Sequence, residues 1–180
     1  GEQGEADLLA NMLQCAQQAG GAVKGVLWYQ GETDANELTA GSYLKRFKAA
    51  VRAWRTALRN PRLPVITAQL NRVFPNPPLP AEAAAAQHRS WSMLREAQRQ
   101  AARAIPGVLV VPTLDLPLSD LIHTSPAGNL LLGDRMARAA LGGVYGRTAA
   151  HLAPDVATAT LSRNGAAITL RFDNVESRID

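Results

Sequence analysis

Apolar residues near the start of the chain recur at three- and four-residue steps. Leu8, Leu9, Met12, Leu13 and Ala16 share one face of a helix that the pattern predicts over Ala6–Ala19. Gly20-Gly21 ends it, because glycine accepts the left-handed conformation that commonly follows a last helical turn. Val23, Val26, Leu27, Trp28 and Tyr29 then form a short, nearly continuous apolar run, the pattern of a strand buried on both faces. Gly31–Gly41 is polar and reads as a loop. The helical period returns at Ser42, with Tyr43, Phe47, Val51, Trp54 and Leu58 on one face. Lys45, Lys48, Arg52, Arg55 and Arg59 occupy the other and read as a solvated face, and Asn60-Pro61 stops the helix. A second buried strand follows over Leu63–Leu70, and the four prolines of Val73–Pro80 demand an extended loop. A third helix runs from about Arg89 to Ala104, with Trp91, Leu94, Ala97, Ala101 and Ile105 inward, and Pro106-Gly107 breaks it. Val108–Val111 is a third buried strand and Pro112–Pro126 a loop. A fourth helix begins near Pro126, a residue favoured in a first turn, and reaches about Gly142.

Strand and helix alternate, and successive strands start about forty residues apart, so the expected architecture is repeated βαβ with a parallel sheet between helices. The tail breaks the series. Ala157–Leu161 and Ala167–Phe172 alternate in polarity around Asn164-Gly165, a strong hairpin signal. The expected organisation is therefore an α/β unit over residues 1–150 and the start of a β-rich region over 151–180.

Composition narrows the class. With 180 residues, 47% hydrophobic and 19% charged, the chain is large enough for a buried core and is not a disordered tail. No apolar run approaches the roughly 18 residues of a membrane span. One cysteine, Cys15, excludes an internal disulfide and any site built from several thiolates. The net charge of +4 is scattered rather than blocked, and no nucleic-acid partner is expected from it. Neither a metal nor an organic cofactor is expected, since no Gly-rich phosphate loop, H-E-x-x-H or cluster of metal ligands is present. A chain that opens on Gly1 and closes directly after a strand-like stretch is expected to be part of something longer.

In open parallel sheets, ligands bind beyond the carboxyl ends of the strands. Three loops qualify, opening at Gln30, near Asn71 and at Pro112. The first begins Gln30-Gly31-Glu32-Thr33-Asp34, where a glutamine amide can point at a developing oxyanion, Gly31 permits close backbone approach, and Glu32 can orient the amide or the loop. The third holds Asp115 and then Asp120-Leu121-Ile122-His123. Asp120 and His123 can set a carboxylate against one imidazole nitrogen and leave the other to take a proton from a hydroxyl nucleophile. The same D-x-x-H spacing also describes a surface Asp and His ahead of a helix, and the Gln-Gly-Glu block a tight polar turn.

The block Lys24-Gly25-Val26-Leu27-Trp28-Tyr29-Gln30-Gly31-Glu32-Thr33-Asp34-Ala35 resembles the signature of the sialate O-acetylesterase group of SGNH hydrolases. Leu94-Arg95-Glu96-Ala97-Gln98, Asp115-Leu116-Pro117-Leu118-Ser119-Asp120-Leu121-Ile122-His123 and Gly133-Asp134-Arg135-Met136-Ala137 are similar to further blocks of that group. The resemblance implies a three-layer α/β/α sandwich with a flavodoxin-like parallel sheet. It also implies acyl transfer on an acetylated carbohydrate, with His123 as general base, Asp120 as its orienting acid, and Gln30 at the position where other SGNH enzymes carry an oxyanion-hole residue. Some members place the acid two residues before the histidine, where this chain has Leu121, so Asp120 rests on the D-x-x-H spacing and Asp115 stands second. The serine nucleophile of the group lies in an N-terminal block, and Ser42, Ser90, Ser92, Ser119, Ser125, Ser162 and Ser177 do not sit in such a context. The chain is thus expected to be the C-terminal part of the hydrolase core, inactive by itself. The alternative is a non-catalytic sugar-binding or scaffold relative of the same fold. Relatives acting on polysaccharides are commonly exported, which makes the periplasm or the exterior the expected location.

Overall fold

The computed structural model describes residues 8–75, 79–147 and 150–175. Its first helix, α1 (Leu8–Gln18), matches the expected amphipathic stretch; Ala6 and Asp7 lie outside the described residues. Three strands follow, β1 (Val26–Trp28), β2 (Val65–Ala68) and β3 (Val108–Val111), separated by helices α2 (Tyr43–Ala57) and α3 (Ala81–Ala104). All three strands are parallel, in the order β1-β2-β3, with Val26 opposite Val65 and Val65 opposite Val108. The last helix of the α/β unit is α4 (Pro126–Gly143).

Side-chain alternation along the strands sorts the core into two layers. Val26, Trp28, Val65 and Val108 join α2 and α3 through Phe47, Val51, Trp54, Trp91 and Leu94, while Leu9 and Met12 of α1 pack on the same cluster. Ile66, Ala68, Leu109 and Val111 face the other way, onto Leu132, Met136 and Ala139 of α4. A sheet between two helical layers is the arrangement the βαβ pattern calls for. At the carboxyl-distal end of the sheet, the Arg55 guanidinium donates to the Leu63 carbonyl at 3.0 Å and to the Pro106 carbonyl at 2.6 Å, clamping the segments that enter β2 and β3.

Two expectations change. The strand around Leu27 is not buried on both faces: β1 lies at the sheet edge, and Leu27 is 65% exposed because α4 covers β2 and β3 rather than β1. Helix α3 also begins eight residues earlier than the apolar period suggests, since the Ala83–Ala86 run favours helix without contributing an inward face. The expected extended loop over Val73–Pro80 falls partly outside the described residues.

Strands β4 (Asp155–Leu161) and β5 (Ile168–Asp173) form a separate antiparallel hairpin. Of the Asn164-Gly165 pair only Gly165 takes a positive φ, 70°; Asn164 instead accepts hydrogen bonds from the Ser162 hydroxyl and the Ala166 N–H. The hairpin is fastened to α3 by Asp155, whose carboxylate pairs with Arg99 at 2.8 Å and with Arg103.

Candidate active site

After β3 the chain makes a compact excursion. Leu118 and Thr124 form an isolated antiparallel bridge, the Ser119 N–H donates to the His123 carbonyl, and the Ser125 N–H donates to the Pro117 carbonyl. Asp120 sits at the tip of this loop. Its Oδ1 accepts the backbone N–H groups of Ile122 and His123, both at 2.8 Å, which folds the turn onto the carboxylate. Oδ2 is thereby aimed at the His123 ring, with Nδ1 at 2.7 Å. Immediately beyond, Ser125 caps α4 by accepting the Gly128 N–H at 3.1 Å. A Cβ on Gly128 would meet the Thr124 side chain at 2.6 Å and the Pro117 carbonyl at 2.9 Å, so the first turn of α4 and the loop are locked by close approach.

The electrostatics follow from those contacts. The N–H groups of His123 and Ile122, together with the ring, hold the Asp120 carboxyl down at about 2. The Asp120 hydrogen bond and charge raise the His123 imidazole above its ordinary range, and the negative charge of Glu32 pushes in the same direction.

Gln30 and its neighbours are held from several sides. The backbone carbonyl of Gln30 accepts from the Tyr43 hydroxyl and from Gln98 Nε2, each at 3.1 Å, and Gln98 Oε1 accepts the Leu70 N–H at 2.8 Å. Buried Gln98 thus ties the ends of β1 and β2 together. The side-chain amide of Gln30 donates to Asp34 Oδ2 at 2.9 Å, and Arg46 closes on the other oxygen of Asp34 at 2.8 Å. Asp34, not Glu32, is the carboxylate against that amide. Burial opposes ionisation of Asp34, but the hydrogen bonds from Gln30 and Arg46 and the charge of Arg46 outweigh it, leaving its pKa lowered. Gly31 adopts φ 152°, and a Cβ there would lie 2.9 Å from a Leu94 methyl and 3.2 Å from a Leu70 methyl. Backbone and packing both require glycine.

The two loops meet through Tyr29 and Thr124, whose hydroxyls are 2.9 Å apart. From below, the amide of Asn71, at the end of β2, donates to Thr124 Oγ1 at 3.1 Å and to the Leu116 carbonyl at 3.2 Å. Arg72 adds bonds to the Leu114 carbonyl at 2.7 Å and to the Leu116 carbonyl at 3.1 Å. Tyr29, Asp34, Asn71, Gln98 and Thr124 were not among the site residues expected from sequence. Tyr29, Asp34 and Gln98 do lie inside the family-like blocks, and Asn71 opens one of the three loops at a strand carboxyl end, but nothing in the sequence marks their partners. Asp115, the second candidate acid, is engaged by Arg135. Arg135 holds its pKa down.

Five of the serine hydroxyls serve local structure. Ser42 donates to the Thr39 carbonyl, Ser119 to the His123 carbonyl and Ser162 to Asn164, while Ser92 and Ser125 accept from Arg95 and Gly128. Among the described residues none is bonded to the His123 ring; Ser177 lies outside them. Also among the described residues, no group of three or more His, Cys, Asp or Glu side chains is placed to hold a metal, and no helix is long and apolar enough to cross a membrane.

A model of the family described as carbohydrate esterase, sialic acid-specific acetylesterase, matches residues 2–142. The chain belongs to this carbohydrate esterase family. Among solved structures, it is similar to a carbohydrate acetylesterase from Xanthomonas citri, with a TM-score of 0.68 and 31% identity over 84% of this chain. It is also similar to a protein from Arabidopsis thaliana, with a TM-score of 0.63 and 28% identity over 78% of this chain. The chain spans 33% of the Xanthomonas protein and 54% of the Arabidopsis protein. No curated protein matches it. Family membership agrees with the α/β class and the parallel sheet described above, and the matched residues contain both the Gln30 loop and the His123 loop.

Proposed function

We propose that this chain supplies the acid–base part of a carbohydrate O-acetylesterase, which removes acetyl groups from sugars through a serine, histidine and aspartate. His123 takes the proton of the attacking serine at Nε2 and delivers it to the departing sugar hydroxyl. Asp120 holds the Nδ1–H tautomer and stabilises the imidazolium. Gln30 and Gly31 offer donors to the tetrahedral oxyanion, and Glu32, by raising the basicity of His123, helps it accept the proton. Water then attacks the acyl-serine and releases acetate. The nucleophile comes from polypeptide outside these 180 residues, in keeping with the local duties of the serine hydroxyls seen here. In this reading residues 1–150 are the C-terminal part of an SGNH hydrolase domain, and 151–180 open a β-rich region.

The observation that carries the proposal is the 2.7 Å bond from His123 Nδ1 to Asp120, on a loop joined to the Gln30 loop by Tyr29 and Thr124. The test is hydrolysis of p-nitrophenyl acetate. The 180-residue chain should show no turnover, and an enzyme form that includes the serine block should lose about 10²–10⁴-fold in kcat on His123→Ala. Turnover by the short chain that vanishes when one of its own serines is changed would overturn the placement of the nucleophile. A fully active His123→Ala enzyme would overturn the site, and absence of turnover with the block restored would favour the non-catalytic sugar-binding reading.

A further inference from the structure

The outward face of α2 carries a line of charge that the site does not use. Lys45, Lys48, Arg52 and Arg55 follow one another at steps of three and four residues, and Arg59 and Arg62 continue the line past the helix end. On an α-helix these steps place one cation about every 5 Å along the axis. No acidic residue occurs anywhere between Glu37 and Glu82. Among the described residues no ion pair joins any of the six to a carboxylate; the ion pairs of this molecule lie elsewhere. Arg55 is held on backbone carbonyls, which leaves its charge uncompensated. The last turns of the helix border an open groove of about 580 Å³, lined by Arg52, Arg55, Thr56, Arg59 and Pro61.

We infer that this stripe is a binding track for a linear acidic polysaccharide. The spacing is close to the length of one sugar ring in an extended glycan, so a chain bearing one carboxylate per residue would meet one cation per residue. Single-stranded nucleic acid fits less well, because such sites pair a basic groove with aromatic stacking surfaces. Here Tyr43, Phe47 and Trp54 of α2 are all buried. The track also has a direction. Its first turn adjoins the site, through Tyr43 on the Gln30 carbonyl and Arg46 on Asp34, and it runs from there to the far end of the sheet. A glycan lying along it would have one end at the catalytic edge. The choice of a glycan rests on the proposed esterase reading; the existence of a polyanion track does not.

The experiment is equilibrium binding of the 180-residue chain to polygalacturonate, which carries no acetyl ester and requires no nucleophile, so its outcome is independent of whether the chain takes part in esterase chemistry. Dextran and single-stranded DNA serve as comparisons, each over a salt series. Polygalacturonate should bind with an affinity that falls as salt rises, and dextran should not bind. The triple variant K48Q/R52Q/R59Q should bind polygalacturonate about tenfold more weakly, three exposed ion pairs having been removed. R138Q/R163Q/R171Q, which lowers the net charge equally away from α2, should bind as the parent does. Far-UV spectra and melts of both variants establish that they remain folded. Absence of polygalacturonate binding at low salt, equal losses in the two variants, or tighter binding of DNA than of the glycan would overturn the inference.

Discussion

The phenol of Tyr29 is hydrogen-bonded at 2.9 Å to the hydroxyl of Thr124, 95 residues further along the chain. Tyr29 immediately precedes Gln30, and Thr124 immediately follows His123. One side-chain bond thus sets the spacing between the two loops that carry the candidate chemistry, and Asn71 holds Thr124 from beneath. In a double-mutant cycle, Tyr29→Phe and Thr124→Val should show a coupling of about 0.5–1.5 kcal/mol by denaturant unfolding. Additive losses would mean that the hydroxyls do not act on one another.

The Asp120–His123 pair makes a prediction about pH. A raised imidazole pKa means that the protonated form gains most from the folded loop. That gain is present below the ordinary histidine pKa and is lost as pH rises through the raised value. Asp120→Asn removes the charge and should move His123 back toward the ordinary histidine value. Ring-proton NMR resonances can follow this. In the intact enzyme the acid limb of kcat/KM should shift to lower pH in the same variant, while its plateau falls. An unchanged His123 titration would detach Asp120 from the site.

Gly31→Ala should destabilise the chain by about 1–3 kcal/mol, because the new methyl meets Leu94 and Leu70 in a backbone conformation that side chains rarely adopt. The measurement is the urea midpoint. An unchanged midpoint would show that the loop moves aside without loss and that Gly31 is there for some other reason.

At the edge of the sheet, β1 presents unpaired backbone groups beside an exposed Leu27, the arrangement that recruits strands from other molecules. The chain should therefore self-associate as its concentration rises, and Leu27→Lys should shift size-exclusion elution toward the monomer. Monomeric elution of the parent at all concentrations would show that the edge is already protected.

How much of this could be read from sequence follows from the range of each interaction. The helices and strands come from local periodicity, and the lengths of α2 and β3 were legible to within a residue or two. Burial of Leu27 was misjudged because an apolar run does not state which strand ends at an edge; that depends on which neighbours pair with it. The His123–Asp120 geometry was legible because both partners lie in one turn. The Tyr29–Thr124 bond, the Gln98 bridge to Gln30 and the Asn71 support join segments tens of residues apart, and no spacing rule marks such pairs. Gln30 shows the difference within a single motif: its place at a strand end was visible, but its partner, four residues on, was Asp34 rather than Glu32.

Two arginines fasten this molecule in a way that its carboxylates do not. Arg55 and Arg72 grip backbone carbonyls at opposite ends of the sheet, and neither partner in such a bond changes charge in acid. Several outer joints add an ionised aspartate to their neutral hydrogen bonds: Asp155 for the hairpin, Asp34 for the Gln30 loop, Asp120 for His123. Protonation of Asp34 and Asp120, whose carboxyls these contacts hold below the ordinary range, therefore weakens the rim without touching the arginine staples. The two candidate loops then rest on their neutral bonds, Tyr29 to Thr124 and Gln98 to the Gln30 carbonyl, while the strand ends keep the same arginine grip at any pH at which the chain is folded.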